Sequence, residues 1–106
     1  MIRIRLHGIK DSTTVNAMID SGATEDFIDQ KFCNKHQIKT IKAKNPREIY
    51  LADGEPSSMG LVTHIARIPM DIGAHREIAT FQVAKLQHHE AILGMPWLKN
   101  HNPRID

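Results

Sequence analysis

Hydrophobic and polar residues alternate at the start of the chain. Ile2, Ile4 and Leu6 are separated by arginines, and this period of two is typical of a strand with one buried face. Residues 8–13 supply a turn, and residues 14–20 form a more continuous apolar run. The pattern therefore predicts a hairpin whose second strand is buried on both faces.

The next apolar residues recur at helical spacing. Phe27, Ile28 and Phe32 fall on one side of a helix. The hydroxyl of Thr24 is suited to cap this helix, and the two acids that follow Thr24 favour the positive end of the helix dipole. The pattern predicts a helix over residues 25–36.

Turn-forming residues divide the middle of the chain into extended segments. Residues 37–47 are basic and polar, and we expect them to form a surface connection. Residues 48–52 and 61–66 are predicted to be the strands of a hairpin whose tip, residues 53–60, is rich in turn formers. Taken alone, this pattern indicates an ordinary surface hairpin.

A further hairpin is predicted from residues 68–72 and 77–83, which flank a turn. Pro69 has no N–H to donate to a strand ladder, so its strand is expected at an edge or at an irregularity. Residues 91–94 then predict a short buried strand that ends in glycine. Residues 95–100 predict a helix with a proline near its first turn.

The composition narrows the class of protein. With 106 residues, of which 41% are hydrophobic and 25% charged, residues 1–106 are expected to form one small globular domain. The net charge of +2 is dispersed and aromatic residues make up 5%, whereas nucleic-acid binding favours a dense basic patch with aromatics. A small nucleic-acid-binding β-barrel is therefore a weak alternative, and no nucleic-acid partner is expected.

The residues that could bind metal do not form a recognised pattern. Cys33 is the only cysteine, so no intrachain disulfide can form, and a reducing intracellular compartment is expected. Cys33 and His36 lack a second ligand pair and are interpreted as a buried thiol and a surface imidazole. Residues 87–90 (QHHE) are interpreted as a polar loop. We expect no metal, no cofactor and no membrane partner, since no segment is long and apolar enough to span a bilayer.

One acid stands out from the others. Asp20 ends the apolar run and enters a tight turn, Asp20-Ser21-Gly22. Removing a charge from water at such a position is costly, and proteins retain such charges mainly at functional sites. The sequence therefore predicts a catalytic Asp20. An ordinary turn is the alternative, because Asp, Ser and Gly are common turn formers.

Three blocks of sequence carry a family resemblance. They are residues 19–24 (IDSGAT) with 27–29 (FID), residues 51–54 (LADG), and residues 92–98 (ILGMPWL). In this order and spacing, the blocks resemble a retropepsin, the aspartic protease of retroviruses and of gypsy-type LTR retrotransposons. Residues 100–103 (NHNP) resemble the retrotransposon branch more than the retroviral one.

The resemblance implies a fold and an assembly. The expected fold is mainly β, a single-lobe closed β-barrel of the acid-protease type, with a flap hairpin and one or two short helices. The chain has one Asp-containing turn, so a working pair of carboxylates would require a homodimer. Asp20 of each copy would share a proton and activate a water molecule.

The resemblance also implies roles for individual residues. Asp20, Ser21 and Gly22 would be catalytic, with the Ser21 hydroxyl holding the partner's loop in register and Gly22 admitting the substrate backbone. Trp97 would pack inside the barrel. Substrate-binding residues would be Ala23, Thr24, Leu51, Ala52, Asp53, Met59 and Ile92.

The resemblance implies an aspartic endopeptidase that hydrolyses extended peptides, typically the Gag-Pol polyprotein of the element itself, in the cytoplasm or within virus-like particles. The sequence departs from retroviral enzymes at Thr24, where an acid is common, and in the low glycine content of the flap tip. The alternative function is a catalytically silent or domesticated module that uses the retropepsin fold for dimerisation or peptide binding.

Overall fold

The computed structural model describes residues 1–8, 11–48, 61–86 and 88–101, which form seven strands and two helices. The strands are β1 (Ile2–His7), β2 (Ser12–Ile19), β3 (Phe27–Asp29), β4 (Ile41–Glu48), β5 (Leu61–Ile72), β6 (His75–Ala84) and β7 (Ala91–Leu93). The helices are α1 (Gln30–Lys35) and α2 (Met95–His101). Within these ranges, no helix is long and apolar enough to cross a membrane.

The strands form a closed barrel. Their order in the sheet is β1-β2-β7-β3-β6-β5-β4, and β1 also pairs with β5. Six strands therefore close on themselves, while β4 lies outside the ring on β5. Closure provides hydrogen-bond partners for the backbone N–H and C=O groups that the edge strands of an open sheet would leave unpaired. The predicted mainly-β barrel with two short helices is confirmed.

The first hairpin forms as predicted, but β2 is not buried on both faces. β1 and β2 pair antiparallel with Ile4 opposite Val15, and buried residues alternate with less buried ones along both strands. Asn16 and Ile19 are exposed. The prediction was wrong because the barrel interior lies on one side of its wall, so a strand in the wall buries alternate side chains.

The predicted helix over residues 25–36 is shorter than expected. Phe27 and Ile28 lie in β3, which pairs with both β6 and β7, so strand pairing overrides the helical spacing of the apolar residues. The helix α1 begins at Gln30, and its cap is Asp29, whose carboxylate accepts a hydrogen bond from the Phe32 N–H at 3.3 Å. Thr24 is exposed in the preceding loop and is not the cap.

The middle of the chain contains more strand than predicted. Residues 37–47 are not only a surface connection, since β4 begins at Ile41 and pairs antiparallel with β5. The two stretches predicted as separate strands, 61–66 and 68–72, belong to the single strand β5. Its pairing with β4 ends at Ile65 and its pairing with β1 begins at Met70. Pro69 thus lies where β5 changes neighbours, in keeping with the irregularity expected there.

Among the residues that the structure describes, the buried hydrophobic side chains form two clusters. The larger fills the barrel and includes Cys33 and Trp97, both buried as predicted. His36 is half-buried rather than a simple surface imidazole, because its ring packs on Phe32 at a centroid distance of 4.4 Å. The smaller cluster lies beneath the loop that follows β2 and consists of Ala23, Phe27, Val62, Ala84, Leu86 and Ile92.

A polar clamp joins the β1–β2 hairpin to the β5–β6 hairpin. The His7 Nε2 lies 2.8 Å from Asp71 Oδ2, and the His7 Nδ1 lies 2.7 Å from Ser12 Oγ. Arg76 donates to both oxygens of Asp71, at 2.6 and 3.1 Å. We call His7, Ser12, Asp71 and Arg76 the hairpin clamp, since it links two turns that are distant in sequence.

Candidate active site

The acid singled out from the sequence follows a parallel pair of strands. β2 and β7 run parallel, with Met18 opposite Ile92 and Ile19 opposite Leu93. The Asp20 N–H continues this ladder by donating to the Leu93 carbonyl at 3.0 Å. The position of Asp20 is therefore fixed by the backbone of β7 rather than by its own hairpin alone.

A tight turn holds the Asp20 carboxylate. Its Oδ1 accepts a hydrogen bond from the Gly22 N–H at 2.9 Å, and the Asp20 carbonyl accepts from the Ala23 N–H at 3.1 Å. Asp20 is half-buried, whereas Ser21 and Gly22 are exposed. The loop thus presents a partly solvated carboxylate next to a hydroxyl and an open stretch of backbone.

The second half of the loop packs on the start of α2. Ala23 is fully buried, and its carbonyl accepts a hydrogen bond from the Met95 N–H at 2.9 Å. A side chain on Gly94 would place its Cβ 2.3 Å from the Glu25 carbonyl oxygen and 2.7 Å from that of Ala23. Gly94 is therefore required for this close approach of two backbone segments.

Asp26, at the end of the Asp20 loop, makes contacts that the sequence analysis missed. Its Oδ1 accepts a hydrogen bond from the Gly94 N–H at 2.7 Å, and its carboxylate also accepts from the Trp97 N–H. The pKa of Asp26 is raised from 3.8 to about 6. Burial is the main cause, the two N–H donors oppose it, and the nearby charges of Glu25 and Glu77 add to it.

A signal for Asp26 was present in the sequence. The residue before α2 is Gly94, which has no side chain to accept from the free N–H groups of the first turn. A distant carboxylate can take that role, and Asp26 does so from the opposite end of the chain. Sequence reasoning placed Asp26 in a helix of its own and therefore gave it a local role.

The structure brings together part of the predicted site. Residues 20–24 form one loop, in which Thr24 is exposed. Ile92 is 1% exposed and lies in the smaller hydrophobic cluster beneath that loop. The predicted flap residues Leu51, Ala52, Asp53 and Met59 lie outside the described residues.

The chemistry available to one copy of the chain is limited. The Asp20 carboxylate accepts from the Gly22 N–H within its own turn, while the Asp26 carboxylate is engaged by the backbone of Gly94 and Trp97. Over the residues that the structure describes, no group of three or more His, Cys, Asp or Glu side chains is arranged to hold a metal ion.

Comparisons with known proteins agree with the geometry. The sequence model of the PEG10/RTL1 protease domain matches residues 16–106. A similar solved structure is the retroviral protease-like domain of Ddi1 from Leishmania major, with a TM-score of 0.56 and 16% identity. That similarity covers 96% of this chain and 76% of the Ddi1 chain, and it supports the barrel fold. With its Asp20 loop seated on β7 in such a barrel, the chain belongs to the PEG10/RTL1 protease domain family.

Proposed function

We propose that the protein is an aspartic endopeptidase that acts as a homodimer. The observation that carries the proposal is the Asp20 loop, in which the half-buried carboxylate accepts from the Gly22 N–H and the Asp20 backbone N–H donates to the Leu93 carbonyl. Membership of a protease domain family supports this assignment. The substrate proposed is an extended peptide, in particular a retroelement Gag-Pol polyprotein of the gypsy type, met in the cytoplasm or in virus-like particles.

The proposed mechanism needs two copies of Asp20, one ionised and one protonated, because two adjacent carboxylates do not both ionise cheaply. The ionised copy removes a proton from water, whose oxygen attacks the peptide carbonyl carbon, while the other copy protonates the carbonyl oxygen. The tetrahedral intermediate then collapses as the newly protonated copy gives its proton to the amide nitrogen, the C–N bond breaks, and one hydroxyl of the intermediate returns a proton to the other copy.

The residues around Asp20 are proposed to position the substrate and the partner loop. Ser21 and Gly22 are exposed, so the hydroxyl can reach a partner loop and the Gly22 backbone can contact a peptide. Thr24, Ala23 and Ile92 are proposed to shape the floor of the binding site. Leu51, Ala52, Asp53 and Met59 are proposed to cover the substrate from the flap side.

Substitution of Asp20 tests the proposal. Wild-type protein should cleave members of a peptide library, whereas Asp20→Asn should lose activity by roughly 10²–10⁴-fold or more, since it removes the general acid–base. The matched control is Asp11→Asn, an exposed acid that directly precedes β2, at the opposite end of that strand from Asp20. Equal cleavage by wild type and Asp20→Asn would overturn the assignment.

A tandem dimer tests whether both copies contribute. Two chains joined by a flexible linker should be active when both carry Asp20 and inactive when one carries Asp20→Asn. Sedimentation of the unlinked chain should show a dimer at the concentrations that support cleavage. If the wild-type chain dimerises and binds peptides without cleaving them, the domesticated peptide-binding function applies instead.

A further inference from the structure

Asp26 connects three parts of the molecule through its own atoms. Its carboxylate accepts from the Gly94 N–H at 2.7 Å and from the Trp97 N–H, both at the start of α2. Its carbonyl accepts from the Gln82 N–H of β6 at 2.8 Å. Asp26 therefore ties the end of the Asp20 loop to β6 and to α2 at the same time.

The residues on either side of Gly94 hold the Asp20 loop. Leu93 accepts from the Asp20 N–H at 3.0 Å, and the Met95 N–H donates to the Ala23 carbonyl at 2.9 Å. Because Leu93, Gly94 and Met95 are consecutive, a bond that fixes Gly94 also fixes the two groups that bind the loop. The Asp26 carboxylate is therefore linked to the Asp20 loop through one short backbone segment, residues 93–95.

We propose that Asp26 is a positioning residue of the active site, which aligns the Asp20 loop by anchoring Gly94 and the first turn of α2 with its charged carboxylate. This inference rests on the proposed function of Asp20. Asp26 itself does not contact substrate in this proposal and acts through the backbone of residues 93–95.

The surroundings of Asp26 make its anchoring sensitive to pH. The titratable groups that face it are Glu25 on its own loop and Glu77 on β6, while α2 contributes the N–H groups. Asp26 and Glu77 also line a pocket of about 190 Å³ with Trp97, through which the carboxyl group can exchange protons with solvent. A neutral carboxyl group accepts weaker hydrogen bonds than a carboxylate, so anchoring weakens as the pH falls through about 6.

The first experiment follows backbone amides by NMR and does not depend on activity. The Gly94 amide shift of the wild-type chain should titrate with a midpoint near 6 and should be flat in Asp26→Asn. In Asp26→Ala, hydrogen exchange at the amides of Asp20 and Met95 should accelerate by about tenfold or more. The control is Glu90→Gln, which removes the same charge from an exposed side chain at the start of β7.

The second experiment measures the pH dependence of cleavage. Asp26→Asn retains an oxygen that can accept from the Gly94 N–H, so it should fold and should lower kcat about tenfold at pH 7.5 with little change in KM. Asp26→Ala should lower kcat by about 10²-fold, the order expected for a misplaced catalytic group. Asp26→Asn should also lose the wild-type inflection near pH 6.

The outcomes separate the two proposals. If wild type and Glu90→Gln cleave peptide but Asp26→Asn and Asp26→Ala keep the wild-type kcat and pH profile, the positioning role is overturned while the peptidase assignment stands. If no form cleaves peptide, the assignment of function fails, and the amide measurements still decide the inference. A Gly94 amide that does not titrate near 6, with unchanged exchange at Asp20 in Asp26→Ala, would overturn it.

Discussion

At the scale of single residues, the loop that carries Asp20 is built from small side chains and backbone hydrogen bonds. Gly94 illustrates the constraint, because two carbonyl oxygens lie within 2.7 Å of where its Cβ would be. Because these neighbours are backbone atoms, they cannot move aside as the end of a flexible side chain could. The site is therefore sensitive to changes that add even one methyl group.

Gly94→Ala is expected to destabilise the fold by about 2–4 kcal/mol, or to displace the Asp20 loop, because the added methyl group meets backbone atoms. The matched variant is Gly73→Ala, in the β5–β6 turn. No atom lies within 4 Å of its Cβ position, and its φ of 58° should cost about 1 kcal/mol. Urea unfolding measures both, and equal costs would contradict the steric argument.

The partly buried charge of Asp26 is expected to reduce the stability of the folded protein at neutral pH. Its folded pKa of about 6 exceeds the ordinary value of 3.8, so the folded state binds the proton more tightly and gains stability as the pH falls from 6 towards 4. Asp26→Asn cannot titrate and should be more stable than wild type by about 1 kcal/mol at pH 7.5, after discounting for partial exposure. The difference should shrink by pH 4, and urea unfolding at both values checks it.

Cys33 is expected to be inert in the folded protein. Burial, together with the charge of Asp29, raises the pKa of its thiol to about 11, and the thiolate is the reactive form. A chromogenic thiol reagent at pH 8 should therefore react only as fast as the chain unfolds, with full reaction in denaturant. Rapid labelling of native protein would show that the thiol is accessible.

At the scale of elements, the hairpin clamp joins two turns that would otherwise be linked only through the barrel. The hydrogen bonds from Arg76 and from His7 hold the pKa of Asp71 well below its usual range. A carboxyl group with a lowered pKa stabilises the fold above the unfolded value of 3.8 and loses that contribution as the pH falls below it. The clamp is exposed enough for salt to weaken it.

Asp71→Asn should lower the melting temperature by a few degrees at pH 7 and low salt, because it removes the charge that Arg76 and His7 share. The loss should diminish in molar salt and at pH values below the ordinary aspartate range. Thermal unfolding followed by circular dichroism measures it. Glu90→Gln, with an exposed acid outside the clamp, should leave the melting temperature unchanged.

At the scale of the whole molecule, closure of the barrel depends on β1. β1 pairs with both β2 and β5, and it contributes Ile4 and Leu6 to the larger cluster. Leu6→Ala should cost about 2–5 kcal/mol, as for other large-to-small changes in a packed core. Arg5→Ala, at the neighbouring exposed position, should cost far less in the same denaturant titration.

The sequence predicts the fold where local pattern and tertiary pairing agree. The alternation of Ile2, Ile4 and Leu6 and the glycine before α2 correctly indicated β1 and the end of β7. The pattern failed at Phe27 and Ile28, whose helical spacing gave way to pairing with β6 and β7. Such pairing joins distant segments, and no local window of sequence contains it.

The candidate site shows the same division. Asp20 could be selected because an acid at the end of an apolar run is unusual, and its tight turn is visible in the residues beside it. Asp26 could not be selected in this way, because its partners Gly94 and Trp97 lie at the other end of the chain. Its contacts follow from the close packing of Gly94 on residues 23–26.

The parallel pairing of β2 with β7 has a consequence for when the Asp20 loop can form during synthesis. The Asp20 N–H donates to the Leu93 carbonyl and the Ala23 carbonyl accepts from the Met95 N–H, so a ribosome must complete β7 and the start of α2 before the loop can be seated. A nascent chain that ends before β7 would therefore lack the hydrogen bond that seats the Asp20 loop.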